Sequence, residues 1–128
     1  MLYTSYYSNP ALKGLESAKY RLIRVTYGFP RFKLQYKLFG AIPALYPERE
    51  MKNLPWAEFA YHYREILEEE TVPVIEASFQ ELSEGGKFCL VLLCFCKPGT
   101  NCHRHLFREW WLEKTGSVIL ELSEASQL

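Results

Sequence analysis

Alternating apolar and polar side chains predict two strands near the start of the chain. Residues 2–7 are rich in Tyr and Thr and lead into a Ser-Asn-Pro turn, and residues 20–27 alternate up to Gly28. A third strand is predicted over Phe88–Phe95 (FCLVLLCF), which is apolar on both faces. Such a strand is typical of the centre of a sheet that is covered by helices on both sides.

Apolar residues that recur every three or four positions predict three helices. The first is capped by Asn53. Its apolar stripe consists of Trp56, Phe59, Ala60, Tyr63, Ile66 and Leu67. The second helix covers Val72–Leu82, and the third is capped by Thr100 or Asn101 and runs to about Lys114.

A last short strand is expected over residues 117–122, so strands and helices alternate through the second half of the chain. That order predicts an α/β fold with a Rossmann-like, mostly parallel sheet flanked by helices. The length of 128 residues favours a single compact domain covering residues 1–128.

Residues 28–53 follow neither periodicity. The segment holds three prolines and two glycines, and aromatic residues are interleaved with basic ones between Phe29 and Phe39. A long irregular segment inside a compact domain is often a functional loop. The alternative is a packed excursion that includes a short helix.

Charge is balanced overall but unevenly distributed. The chain has 15 basic and 15 acidic residues, yet residues 13–37 hold seven basic side chains and one acid, and residues 48–84 hold ten acids and three basic side chains. One hypothesis is therefore a non-catalytic nucleic-acid-binding module that uses the basic, aromatic segment 13–37. The alternative is that the two segments neutralise each other in the fold.

Composition excludes several kinds of site. The chain contains no Asp, which excludes a Ser-His-Asp triad and an Asp-rich magnesium or calcium loop. The longest apolar run, Phe88–Cys96, is too short to span a membrane, and the first residues do not resemble a signal peptide. All four cysteines fall within fourteen residues, which favours reduced thiols. We therefore expect a soluble, cytoplasmic protein without a membrane partner.

The stretch richest in chemistry is residues 94–105 (CFCKPGTNCHRH), which spans a strand end, a turn and a helix start. Ligands of open α/β sheets bind outside the carboxyl ends of the strands, and a helix start favours anions. The first interpretation is a site for a phosphorylated or nucleotide-like anion. Cys102 would be the nucleophile or thiolate, and His103 the acid–base group. The ligand-binding residues would be Ser5, Arg24, Lys97 and Arg104.

Two other interpretations of this stretch remain open. Cys94, Cys96 and Cys102, with His103 or His105 as a fourth ligand, could bind zinc. Alternatively the thiols are small buried residues, and the His and Arg side chains only cap the helix and pair. Zinc is the one cofactor that the sequence suggests, and the sequence does not indicate an oligomeric state.

The same stretch resembles a known family. Residues 92–99 (LLCFCKPG), followed by Cys-His-Arg-His at 102–105 and by Trp110, resemble the domain-of-unknown-function 488 (DUF488) family. The opening strand, Tyr3–Tyr7, is similar as well, and the resemblance runs from about residue 3 to residue 122.

The resemblance implies a compact α/β protein of a prokaryotic or viral family without an established reaction. The positions that match the family pattern are Cys94, Cys102, His103 and Arg104, with Ser5 and Arg24 as looser matches. Relatives often carry an acid where this chain has Cys96. The resemblance therefore implies that a metal site using Cys96 would be specific to this chain. If the acid is catalytic in relatives, its replacement by Cys96 puts catalytic activity in doubt.

Overall fold

The computed structural model describes residues 1–96 and 100–122. Five strands form one sheet in the order β3-β2-β4-β1-β5, and every neighbouring pair is parallel. The strands are β1 Leu2–Tyr6, β2 Tyr20–Arg24, β3 Gly40–Ala41, β4 Cys89–Cys94 and β5 Leu120–Glu121. The predicted α/β fold with a parallel sheet is thus confirmed, and β4 lies at the centre of the sheet as expected.

Three α-helices and three short 3-10 helices complete the described part of the chain. The α-helices are α1 Trp56–Glu70, α2 Val72–Leu82 and α3 His103–Thr115. The 3-10 helices are Pro10–Gly14, Pro43–Leu45 and Arg49–Met51. Among these residues no helix has both the length and the apolar character needed to cross a bilayer.

Two predicted helix caps were wrong. Helix α1 begins after Pro55 rather than Asn53, because the fixed φ of proline already suits a helix start. Helix α3 is capped by Cys102 rather than by Thr100 or Asn101. Cys102 has extended backbone angles there, and its carbonyl accepts the first hydrogen bonds of the helix. The thiol therefore lies at the helix cap itself rather than within the first turn.

The two faces of the sheet are covered differently. Ile23 and Leu92 point to one face and pack in a core with side chains of α1, α2 and α3. Leu22 and Val91 point to the other face, where Leu12 of the first 3-10 helix and apolar residues of the following coil cover them. Strand β4 is buried on both faces as predicted, but only one cover is made of α-helices.

Helix α3 is anchored by an aromatic cluster. Phe79 of α2 meets Phe107 and Trp111 of α3 edge to face, with ring centroids 6.1 Å and 5.3 Å away. Phe107 and Trp111 are buried. Buried rings in this geometry contribute stability beyond their area, so the helix start is held rigidly beside the sheet.

The connections of β2 and β4 run in opposite directions. The chain leaves β2 towards β3 at one edge of the sheet, and leaves β4 through α3 towards β5 at the other edge. Because β2 and β4 are neighbours, a crevice opens between their carboxyl ends, which is where ligands of such sheets bind. The irregular segment 28–53 lies beside it and contains β3 and two 3-10 helices.

Candidate functional site

A cavity of about 1030 Å³ occupies this crevice. Its wall combines the turn after β2, part of segment 28–53, the start of α1, the end of β4 and the start of α3. Residues of the irregular segment and of the cysteine-containing stretch thus line the same cavity.

The cavity wall is aromatic and carries more positive than negative charge. The aromatic residues are Tyr27, Phe29, Phe32, Trp56, Phe59 and Phe95. The charged residues are Arg31, Arg49, Lys52 and Glu48. The rings of Trp56 and Phe59 are nearly parallel, 5.3 Å apart, and Phe29 is 67% exposed. Exposed rings beside cations are typical of sites that take flat, anionic ligands.

Three cysteines meet at one end of the cavity. The sulfur atoms of Cys94, Cys96 and Cys102 all lie within 4.8 Å of one another. Cys94 ends β4 and is buried, Cys102 caps α3 and is 2% exposed, and Cys96 is half-buried. Cys96 and Cys102 are both among the residues that line the cavity.

The buried side chain of Arg104 joins this cluster to β5. Its Nη1 donates hydrogen bonds to the sulfurs of Cys94 (2.8 Å) and Cys102 (3.5 Å), and to the carbonyl oxygen of Cys96. Its Nε and Nη2 donate to the two carboxylate oxygens of Glu121, at 3.1 Å and 2.8 Å. This fork fixes the guanidinium, so a full positive charge lies next to the sulfurs.

The ring of His103 is oriented by the end of β2. Its Nε2 lies 2.9 Å from the carbonyl oxygen of Val25, which can only accept, so Nε2 carries a proton. In the neutral ring Nδ1 is then unprotonated, and it lies 4.0 Å from the sulfur of Cys102. A thiol, an adjacent base and a third group that orients the base are the components of an activated nucleophile.

The environment separates the pKa values of the three thiols. Burial raises the pKa of Cys94 far above its usual range, and its hydrogen bonds with Cys102 and Cys96 raise it further. Hydrogen bonds from the thiols of Cys102 and Cys94 hold the pKa of Cys96 well below its usual value. A hydrogen bond from Cys94 likewise lowers the pKa of Cys102. Cys96, whose pKa both neighbouring thiols lower, is therefore the thiol of the cluster that carries negative charge most readily, and it lines the cavity.

Three of the four predicted ligand-binding residues have partners within the fold: Arg104, as described above, and Ser5 and Arg24. Ser5 is buried, and its hydroxyl donates to a backbone carbonyl just after β5 at 3.1 Å. Arg24 donates to the Tyr27 carbonyl at 2.8 Å, and its guanidinium lies 4.0 Å from the centre of the Phe29 ring. Neither is among the described residues that line the cavity. Lys97 lies outside the described residues.

The geometry bears on the zinc interpretation as well. The three sulfurs are close enough together for one soft metal ion. His105, considered as a fourth ligand, instead pairs with Arg108, whose Nη1 lies 3.1 Å from its Nδ1. The guanidinium of Arg104 also provides the positive charge that a metal would provide to these sulfurs. The arrangement therefore favours an anionic thiol site. The zinc site stays an untested alternative, which elemental analysis of the protein checks.

Sequence reasoning missed part of the cavity wall. Trp56 and Phe59 belong to the predicted apolar stripe of α1; Phe59 packs against the core as expected, and both side chains are half-buried and also line the cavity. Arg49 and Lys52 were counted only within the acidic segment 48–84. The signal that points to them is position, because all four residues lie in or just after the irregular segment 28–53, for which a functional loop was one of two interpretations.

Comparison with known proteins identifies the family. Residues 7–115 match a family model described as the active DUF488-N3 subclade, DUF488-N3a. The match covers most of the chain and includes the three clustered cysteines and His103. Neither the curated proteins nor the solved structures gave a match. The chain belongs to the DUF488 family, within the subclade that this model describes.

Proposed function

We propose that the cavity binds a phosphorylated, nucleotide-like anion, and that Cys102 and His103 act on it as nucleophile and acid–base group. The observation that carries this proposal is that aromatic rings, cations and the Cys102–His103 pair line one cavity. Bases stack on aromatic side chains, and phosphates are bound by Arg and Lys. A subclade described as active is consistent with chemistry at this site.

The charges around the cavity support an anion in a defined place. Arg31, Arg49 and Lys52 outnumber Glu48 along the wall. The start of α3 also borders the cavity, and the first N–H groups of a helix have no partners within it. A phosphate group is therefore attracted towards the cations and the helix start, while the exposed rings receive the base.

The proposed chemistry is nucleophilic displacement. Nδ1 of His103 takes the proton of the Cys102 thiol, and Nε2 keeps its hydrogen bond to the Val25 carbonyl. A bond forms between the sulfur and the electrophilic atom of the ligand, and the bond to the leaving group breaks. The proton on Nδ1 then passes to the leaving group, which regenerates neutral imidazole.

The binding proposal is tested by crossing two variants with two probes, adenosine monophosphate and ribose 5-phosphate, in calorimetric titrations. Phe29→Ala is expected to weaken binding of the nucleotide by roughly tenfold and leave ribose 5-phosphate unchanged, because only the nucleotide has a base to stack. Arg49→Gln is expected to weaken both by roughly tenfold, because both carry the phosphate.

The matched control is Lys87→Gln, which removes an exposed cation that does not line the cavity. It is expected to leave both affinities unchanged. If Lys87→Gln weakens binding as much as Arg49→Gln, the attraction is a general charge effect and the proposed site is wrong. Failure of the wild-type protein to bind either probe at millimolar concentration would also overturn the proposal.

A second candidate function is single-stranded nucleic-acid binding without catalysis. The observation that favours it is a row of exposed rings: Tyr27, Phe29, Phe32 and Phe39 are 56%, 67%, 47% and 51% exposed. Arg21 lies over Phe39, with its Cζ 4.0 Å from the ring centre. Several phosphate contacts predict a steep loss of oligothymidylate affinity between about 50 and 200 mM salt. Absence of binding at the lower salt concentration would exclude this function.

A further inference from the structure

The cysteine cluster contains more than a single nucleophile needs. Cys96 and Cys102 both face the cavity, and the buried Cys94 lies within 4.8 Å of both sulfurs. A disulfide has a sulfur–sulfur bond of about 2.05 Å, so the two cavity thiols need to approach by less than about 3 Å. Side-chain rotation covers a distance of that size.

We propose that Cys96 and Cys102 form a disulfide when a hydroperoxide enters the cavity, which makes the pair a reversible oxidation site. Cys96 is the thiol that meets the oxidant, because it is half-buried and lines the cavity. Cys102 is the resolving thiol. The disulfide itself does not depend on which ligand the cavity takes. Its consequence, a cavity without a free Cys102, rests on the proposed function.

The surroundings of the pair favour this route over other pairings. Cys94 is 0% exposed and is not among the residues that line the cavity, so it is withheld from a solute there. Nη1 of Arg104 lies 3.5 Å from the Cys102 sulfur, which stabilises a thiolate leaving or attacking there. Burial of Cys94 thus leaves Cys96 and Cys102 as the reactive pair.

The oxidation has two steps. The Cys96 thiolate attacks the hydroperoxide, an S–O bond forms, the O–O bond breaks, and hydroxide or alkoxide leaves, so that sulfur is oxidised to a sulfenic acid and the peroxide is reduced. The Cys102 sulfur then attacks the Cys96 sulfur, the S–O bond breaks, and water leaves with the thiol proton. A small dithiol then exchanges with the disulfide, which returns both thiols to the protein and leaves the dithiol oxidised to its own disulfide.

The experiment treats the reduced full-length chain with hydrogen peroxide and follows intact mass, free thiols and disulfide mapping. We expect the four free thiols of the wild type to fall to two, with the bond mapped between Cys96 and Cys102. Cys102→Ser is expected to stop at a sulfenic acid on Cys96 that dimedone traps. Cys89 is the matched internal reference, because it is also half-buried but lies outside the cluster.

Cys89→Ser is expected to form the disulfide at the wild-type rate, and Cys96→Ser to lose oxidation at this site by roughly tenfold or more. Oxidation of Cys89 as fast as Cys96, a disulfide that involves Cys94, or overoxidation of the wild type without a disulfide would each refute the proposal. Mapping in the wild type needs no variant to fold. If the reduced chain forms the disulfide but never binds adenosine monophosphate, the oxidation site stands and the proposed function fails.

Discussion

The ion pair between Arg104 and Glu121 should dominate the local stability of the site. The Arg104 side chain is 0% exposed and Glu121 is 17% exposed, and the two share two hydrogen bonds. Glu121→Gln keeps the shape but leaves the guanidinium without its carboxylate. Removing one partner of a buried pair costs about 3–5 kcal/mol, and the partial exposure of Glu121 places the expected loss near about 3 kcal/mol.

This loss can be converted into a melting temperature. An unfolding entropy of about 2.1 cal/mol/K per residue gives about 0.27 kcal/mol/K for 128 residues, so the melting temperature should fall by about 11 °C. Scanning calorimetry and urea unfolding measure both quantities. The matched control is Glu113→Gln, which breaks a pair with Arg64 whose side chains are 56% and 46% exposed. That loss should stay below about 1 kcal/mol.

A double variant tests the reasoning itself. Arg104→Met combined with Glu121→Gln removes the charge together with its partner, so it should be more stable than Glu121→Gln alone. Equal losses in Glu121→Gln and Glu113→Gln would show that Arg104 is not buried against an essential partner. If the double variant loses as much stability as the single variants Arg104→Met and Glu121→Gln lose together, the pair does not act as a unit.

Three further outcomes are expected. Gly116→Ala should lower stability by about 1 kcal/mol in urea unfolding, because φ there is 75° and an added Cβ meets no other atom, whereas Gly14→Ala, equally open and without positive φ, should not. His103→Gln should slow iodoacetamide labelling of Cys102 by roughly tenfold at pH 7 and much less at pH 10, because Nδ1 of His103 is the base 4.0 Å from the sulfur and hydroxide replaces it at high pH; equal slowing at both pH values would contradict the pair. Chelator-free protein should contain zinc far below one ion per chain in elemental analysis, because Arg104 already lies against two sulfurs; a full ion per chain would restore the metal interpretation.

Sequence patterns predicted most of the strands and helices, because the spacing of apolar residues in each one reflects which of its faces are buried. The apolar run over β4 marks a strand covered on both faces, and α2 begins and ends where its periodicity does. The limits of β2 and β5 were less accurate, because the pattern of side chains does not show at which residue pairing with a neighbouring strand begins or ends. The start of α3 was misplaced because a cap depends on backbone angles, and Thr100, Asn101 and Cys102 are all polar or small residues.

The sequence predicted where the cavity lies but not the contacts within its wall. The carboxyl end of β4 and the start of α3 do meet beside a cavity, because parallel strands place such ends at one edge. The direction of Arg104 could not be read from its neighbours, since its partner Glu121 lies 17 residues later on β5. A buried ion pair between a helix and a strand is a tertiary contact. It leaves no periodic trace in the sequence.

The last prediction concerns the charge and the sulfur of the residue at position 96. The resemblance implies that relatives often carry an acid there, and hydrogen bonds from Cys102 and Cys94 hold the pKa of Cys96 low enough for a thiolate. Cys96 therefore supplies the negative charge of a carboxylate beside Cys102, and adds a sulfur that can be oxidised. Cys96→Asp should keep the affinity for adenosine monophosphate and lose the peroxide-dependent disulfide.

Cys96→Ser separates the two roles, because serine is close in size to cysteine but carries neither the charge nor the oxidisable sulfur. If the charge matters, alkylation of Cys102 should differ between the serine and aspartate variants while both resist peroxide. An aspartate variant that reacts at Cys102 as the serine variant does would show that the charge at position 96 has no influence on its neighbour. The charge of Cys96 would then not take the place of the acid in relatives, and the thiolate at Cys96 would matter for oxidation alone.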